Sequence, residues 1–304
     1  MPKDFLKLSD HTPETIQRLV EETLRLKRVG RGEKPLAGKA IGLIFTKSST
    51  RTRTAFEVGM YQLGGYAILL RPDEIQITRG ESLHDTARVM SRYLDGLVVR
   101  TYSHDEMEEL ALHASIPVIN ALTDKYHPCQ AIADYATLLE VKGKLKGLKL
   151  AYIGDGNNVA NSLLIGGAML GVNVTIAAPK DYMPPKDVID AAVSYADKSG
   201  ARIDITENPQ SAAKGADALY TDVWVSMGQE AETKRRQKDF AGFIVDDRLL
   251  GAAKPDCKVL HCLPAHRGEE ISASVIDGPA SVVFDQAENK LHAQKAILKM
   301  CLGD

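Results

Sequence analysis

AIGLIF at residues 40–45 runs directly into TKSSTRTRTAFE at residues 46–57. Six successive apolar positions read as a strand buried on both faces, the pattern of a parallel sheet. The stretch behind it carries hydroxyls at Ser48, Ser49, Thr50 and Thr52, interleaved with Arg51 and Arg53, where a helical pattern begins. A helix N-terminus offers unpaired N–H groups and the positive end of the helix dipole, which together attract an oxyanion. Hydroxyl donors and a guanidinium fork complete a phosphate cradle. The plainer alternative is ordinary N-capping by Ser or Thr beside surface arginines. Arg51 and Arg53, two residues apart on a helix, point to different sides, so one grips an anion and the other braces the loop.

The strand–loop–helix pattern continues in both directions. YAILL (66–70), DGLVVR (95–100) and IPVIN (116–120) read as further strands, with helical patterns at 52–63, 82–94 and 105–114 between them. A second series follows, of LKLAYIG, VNVTIAA, ARIDIT, ADALYTDV and KVLHCL, again alternating with helices. Such alternation predicts an α/β chain with parallel sheets built from right-handed crossovers. VKGKLKGLK (141–149) breaks the series, so two open sheets are expected rather than one closed barrel. The first domain is read as residues 1–140 and the second as 148–286. A helix at 128–140 bridges them, and a last helix at 287–304 folds back to complete the first. The run KRRQKD (234–239) reads as a solvated face.

Composition narrows the classes. The 304 residues carry 38 Lys and Arg against 40 Asp and Glu, without the basic excess expected of a nucleic-acid binder. No apolar run approaches the ~20 residues that cross a bilayer. Cys129, Cys257, Cys262 and Cys301 are scattered and form no CxxC pair, so neither a disulfide scaffold nor a structural zinc site is expected. The first ten residues lack the apolar core of a signal peptide. A protein of a reducing, cytoplasmic compartment is expected, with no membrane and no nucleic-acid partner.

Open parallel sheets bind ligands at the carboxyl ends of their strands, which selects three further junctions. In TDKYHPCQAIAD (123–134), His127 precedes a proline suited to a first helical position, and Gln130 follows nearly one turn later. A histidine there can stay neutral and donate to a carbonyl oxygen, although a packed histidine beside a helix start is the commoner case. Arg100, at a strand end, can converge on the same edge. In YIGDGNNVANSLLIGGAMLG (152–171) a dinucleotide turn is the first thought, but the next strand ends in Ala177, Ala178 and Pro179, without the ribose-holding acid. Asn157 and Asn158 there can hold a small carboxylate or serve only as a helix cap. In TDVWVSMG (221–228) and LHCLPAHRGEE (260–270), Asp222 can pair with an ammonium group and Ser226 can bond beside it. Cys262 ends a strand where a nucleophile or ligand contact would lie. His261 and His266 are its only neighbouring bases, and a cysteine is usually just a small buried residue.

SSTRTR, HPCQ, DVWVSMG and HCLPAHRG, in this order and spacing, closely resemble the aspartate/ornithine carbamoyltransferase family over essentially the whole chain. STRTR and HPxQ are common to the family, whereas the SMG loop and HCLP are particular to its ornithine branch. The resemblance implies carbamoyl transfer from carbamoyl phosphate to the δ-amine of L-ornithine, with no metal and no organic cofactor. It implies a homotrimer with shared active sites. Ser49, Thr50, Arg51 and Thr52 then form the carbamoyl-phosphate loop, and Arg100, His127 and Gln130 bind the carbamoyl and phosphate groups. Gln76 reaches a neighbouring subunit's site. Asn158, Asp222, Ser226 and Met227 hold ornithine, and Cys262 and Leu263 lie beside the reacting atoms. Arg100, His127 and Cys262 are the catalytic set. Lys290 stands where the family usually has arginine, keeping the charge without the bidentate fork. A cis Leu263–Pro264 peptide is also implied. Another amine, putrescine or aspartate, and a nicotinamide-dependent oxidoreductase are the alternatives.

Overall fold

The structure is a computed structural model that describes residues 4–303 apart from 33, 72, 227 and 229. The chain divides into two compact units, one of Met1–Ala136 with Glu288–Asp304 and one of Thr137–Ala287. Both divisions fall inside helices, Pro128–Lys142 and Val283–Leu302. The last helix therefore starts four residues before the expected 287: VVF alone reads as a strand-like apolar run, but here it opens the helix.

The first unit holds a four-stranded sheet of β1 (Ala40–Phe45), β2 (Tyr66–Leu70), β3 (Gly96–Arg100) and β4 (Val118–Leu122). All pairings are parallel and the order is β2-β1-β3-β4. β1 and β3 are buried along nearly their whole length, which explains their unbroken apolar sequences. β2 lies at an edge and alternates in exposure instead. Leu97, Val99, Met107, Leu110 and Val118 anchor a core between this sheet and the helix His104–His113.

The second unit holds a five-stranded parallel sheet of β5 (Lys149–Ile153), β6 (Asn173–Ala177), β7 (Ile203–Thr206), β8 (Ala218–Thr221) and β9 (Lys258–His261). Its order is β7-β6-β5-β8-β9. The helix Asn158–Leu170 is buried from its second residue to its last, so its sequence is apolar all round rather than striped.

In each sheet the first strand has its sequence successor on one side and a later strand on the other. These reversals, between β1 and β3 and between β5 and β8, are topological switch points, where crevices open at the carboxyl edge. Thr46–Glu57 leaves β1 at one of them, and Asp155–Asn158 leaves β5 at the other.

Candidate active site

In the first unit the residues after β1 line a cleft of about 860 Å³ that includes Lys47, Ser48, Ser49, Thr50, Arg53 and Thr54. The helix Arg51–Gln62 begins there, and Thr50 at its N-cap position makes no side-chain capping bond. The Thr50 hydroxyl is thus not consumed in capping, and the first N–H groups of the helix keep their capacity for an anion. Arg51 is half-buried with its Nε unpartnered, whereas Arg53 is exposed and pairs with Glu57 at 2.9 Å. The two arginines differ: Arg51 keeps an unpartnered donor, whereas Arg53 is tied along its own helix rather than bracing the loop.

Hydrogen bonds knit the carboxyl edge of this sheet. Thr46 donates through N–H and Oγ1 to the Arg100 carbonyl at 2.9 and 3.1 Å, and the Asp124 N–H donates to the Tyr102 carbonyl. Lys47, buried despite its charge, pairs with Asp124 and lies 4.0 Å from the centroid of the Tyr102 ring. Sequence reasoning passed over Lys47; a lysine between two hydroxyl clusters gives no sign of being buried.

Arg100, His127, Gln130 and Lys290 are all buried. His127 stands immediately before the helix Pro128–Lys142, and its carbonyl accepts from the N–H of Gln130. Burial, reinforced by the Lys290 and Arg100 cations, holds its imidazole well below the usual histidine range. It is neutral at physiological pH and can donate one N–H without carrying charge. Lys290 donates to Gln130 Oε1 at 2.9 Å, and Gln130 Nε2 donates to Asp134 Oδ1 at 2.8 Å, so the glutamine amide has one orientation. Burial pushes the Cys129 thiol up to about 12, and it donates to the Asn120 carbonyl. Gln76 is exposed on the turn Gln76–Arg79 beyond β2.

In the second unit Asp222, just past β8, is the organising residue. Its Oδ2 accepts from Asn157 Nδ2 at 2.9 Å, and its Oδ1 accepts from the Val223 N–H at 2.8 Å and from Cys262 Sγ at 3.0 Å. Asn157 caps the helix Asn158–Leu170 with the same side chain, accepting from Val159 and Ala160 N–H. The capping alternative for the asparagines therefore falls on Asn157, which also braces Asp222. Asn158 and Ser226 are half-buried at the same carboxyl edge, and Met227 lies outside the described residues. Gly156 is required by space: a Cβ there would stand 2.4 Å from the Pro184 nitrogen.

The run at 234–239 is not simply a solvated face. Arg236 is buried, its Nη1 donating to Asp155 Oδ2 at 2.7 Å and to the Trp224 carbonyl at 2.9 Å, and its Nε to Glu232 at 2.8 Å. Burial pushes the Asp155 carboxyl up to about 6 against the pull of that guanidinium.

After β9, His261 Nδ1 accepts from the Leu263 N–H at 2.9 Å, so the ring proton sits on Nε2, 3.0 Å from Glu270 Oε1. His261 is thereby occupied at both nitrogens and is not a base for Cys262. Leu263 has φ 57°, a left-handed conformation disfavoured for a branched side chain, and the Leu263–Pro264 peptide is cis as the resemblance implied. Asp222, His261 and Cys262 place donor atoms within 4.8 Å of one another, but each is already engaged in the bonds above.

A cationic, hydroxyl-rich crevice on one parallel sheet and a carboxylate–amide–thiol cluster on another equip a two-substrate group transferase. Two family models match the chain: the aspartate/ornithine carbamoyltransferase carbamoyl-P binding domain over residues 3–140 and the Asp/Orn binding domain over 146–301. The chain belongs to the aspartate/ornithine carbamoyltransferase family. It is 55% identical to the ornithine carbamoyltransferase of Halalkalibacterium halodurans, over 99% of this chain and 95% of that one. It is 51% identical to that of Thermococcus kodakarensis, over 99% and 96%. The solved structure of the Pyrococcus furiosus ornithine carbamoyltransferase superposes with TM-score 0.95 at 50% identity, covering 98% and 96% of the two chains.

Proposed function

We propose that this protein transfers the carbamoyl group of carbamoyl phosphate to the δ-amine of L-ornithine, giving L-citrulline and phosphate. The observation that carries this reading is the uncapped helix start at Arg51, with an unpartnered buried guanidinium nitrogen, on a sheet of the family's carbamoyl-phosphate domain. In the other unit, Asp222 offers a carboxylate to an ammonium group, with Asn158 and Ser226 beside it for the amino-acid moiety. Ornithine carbamoyltransferase relatives at about half identity over the full chain support ornithine as the acceptor.

The chemistry follows from charge. Carbamoyl phosphate carries a dianionic leaving group, so Ser49, Thr50, Arg51, Thr52 and the helix start stabilise the charge that grows on phosphate. Neutral His127, with Arg100, polarises the carbonyl as it becomes an oxyanion. Gln130, oriented by Lys290, binds the carbamoyl amide. The δ-ammonium of ornithine resembles lysine, with a reference pKa near 10.4, and sheds a proton before attack. The amine then adds to the carbonyl carbon, the tetrahedral intermediate expels phosphate, and phosphate takes up the last proton. Positioning and electrostatics supply the rate. No base is available at His261, and Cys262 and Leu263 act as neighbours of the reacting centre.

We infer a cytoplasmic homotrimer in which Gln76 serves a neighbouring subunit's carbamoyl phosphate. The four free thiols support a reducing compartment, and no helix of the described residues is long and apolar enough to cross a membrane. The deciding experiment measures carbamoylated product with ornithine, putrescine and aspartate in turn. Citrulline should dominate; a faster reaction with either other amine reassigns the substrate.

A further inference from the structure

Arg236 is the one residue of KRRQKD that is buried. A guanidinium withdrawn from water needs compensation, and the bonds it makes show what it is for. Its acceptors come from three separate pieces of the second unit. Asp155 belongs to the loop after β5, the Trp224 carbonyl to the loop after β8, and Glu232 to the turn that leads into its own helix, Thr233–Asp239. The Tyr182 ring covers it at 4.9 Å, and the Tyr182 hydroxyl is held in turn by Asp239 at 2.8 Å.

Both loops it grips carry the amino-acid half-site. Two residues beyond Asp155 stands Asn157, which braces Asp222, and then Asn158. Trp224 lies two residues past Asp222 and two before Ser226. The loop after β5 is further pinned by the Gly156 N–H donating to the Tyr182 carbonyl at 2.8 Å, in a space only glycine fits. Beyond the direct Asn157–Asp222 bond, the two strand-end loops are therefore joined by a side chain from outside both of them.

We propose that Arg236 is a positioning residue for the amino-acid substrate: it clamps the Asp155 loop to the Trp224 carbonyl and so sets the distance between Asn158 and Ser226. This rests on the reading that the second unit binds the acceptor amine. Because Arg236 acts through these loops, its removal should act on acceptor affinity and leave carbamoyl phosphate, held by the first unit, unaffected.

The test is steady-state citrulline formation by wild type, Arg236→Gln, Arg236→Lys and Asp155→Asn, varying each substrate separately. Arg236→Gln leaves Asp155 buried without its cation, and the KM for ornithine should rise by about tenfold or more. The KM for carbamoyl phosphate should change less than about twofold. Lysine keeps the charge but cannot fork to three acceptors, so Arg236→Lys should fall between. Should Arg236→Gln fail to fold, Arg236→Lys and Asp155→Asn carry the same comparison. Unchanged ornithine KM in the folded variants, or equal shifts for both substrates, overturns the clamp. A wild-type protein that makes no citrulline overturns instead the reading beneath it, and the clamp with it.

Discussion

The thiol of Cys262 donates to Asp222 Oδ1 across 3.0 Å, joining the end of β9 to the end of β8. The sulfur is thus a hydrogen-bond donor to a carboxylate, the reverse of the cationic surroundings that activate a thiolate. Cys262→Ala should keep measurable turnover with an altered ornithine KM, because the amine attacks the carbamoyl carbon directly. A carbamoyl-thiol adduct seen by mass spectrometry, or complete loss of chemistry with both substrates still bound, would contradict this.

Arg51→Ala should weaken the binding of phosphate analogues and turnover together. A hydrogen bond to a charged group contributes about 1.5–3 kcal/mol, so kcat/KM should fall by at least about tenfold. Normal kinetics in the folded variant would remove the cradle from the account.

Acid stability should depend on His292. Burial, aided by the Lys295 cation, lowers its imidazole to about 4, while the unfolded chain takes up a proton near 6.5. Between these values the unfolded state holds the extra proton, so stability is full above 6.5 and drains away as the pH falls towards 4. His292→Gln should therefore lose less Tm than wild type between pH 7.5 and 5. An equal or steeper loss would show that His292 is not the group responsible.

Subunit sharing has its own test. Arg51→Ala and Gln76→Asp should each be impaired as homotrimers, the aspartate by facing the phosphate with negative charge. Random equal remixing should restore about one site in four if each boundary draws its two faces independently. Activity that stays at the parental level, with remixing confirmed by mass spectrometry, places Gln76 outside the neighbouring site.

Much of this was legible in the sequence for identifiable reasons. Strands such as AIGLIF and YAILL are short, apolar and bounded by turn residues, and they fall where their patterns place them. A candidate cradle was readable because hydroxyls and arginines crowd one strand-to-helix junction. Arg236 was not. Four cations in six residues look alike until the fold shows which one meets buried acceptors. Asn157 and Asn158 were equally good as cap or ligand in sequence, and the bonds that Asn157 accepts from Val159 and Ala160 N–H separate them. The left-handed Leu263 leaves no trace in residue type at all, since leucine is among the last residues expected there.

The central claim is direct transfer to ornithine, and a rapid-quench single turnover with ¹³C-labelled carbamoyl phosphate tests it most directly. The account predicts that labelled citrulline and phosphate appear together, in equal amounts, with no label on the protein. Phosphate released ahead of citrulline, or label trapped on the chain, would contradict it.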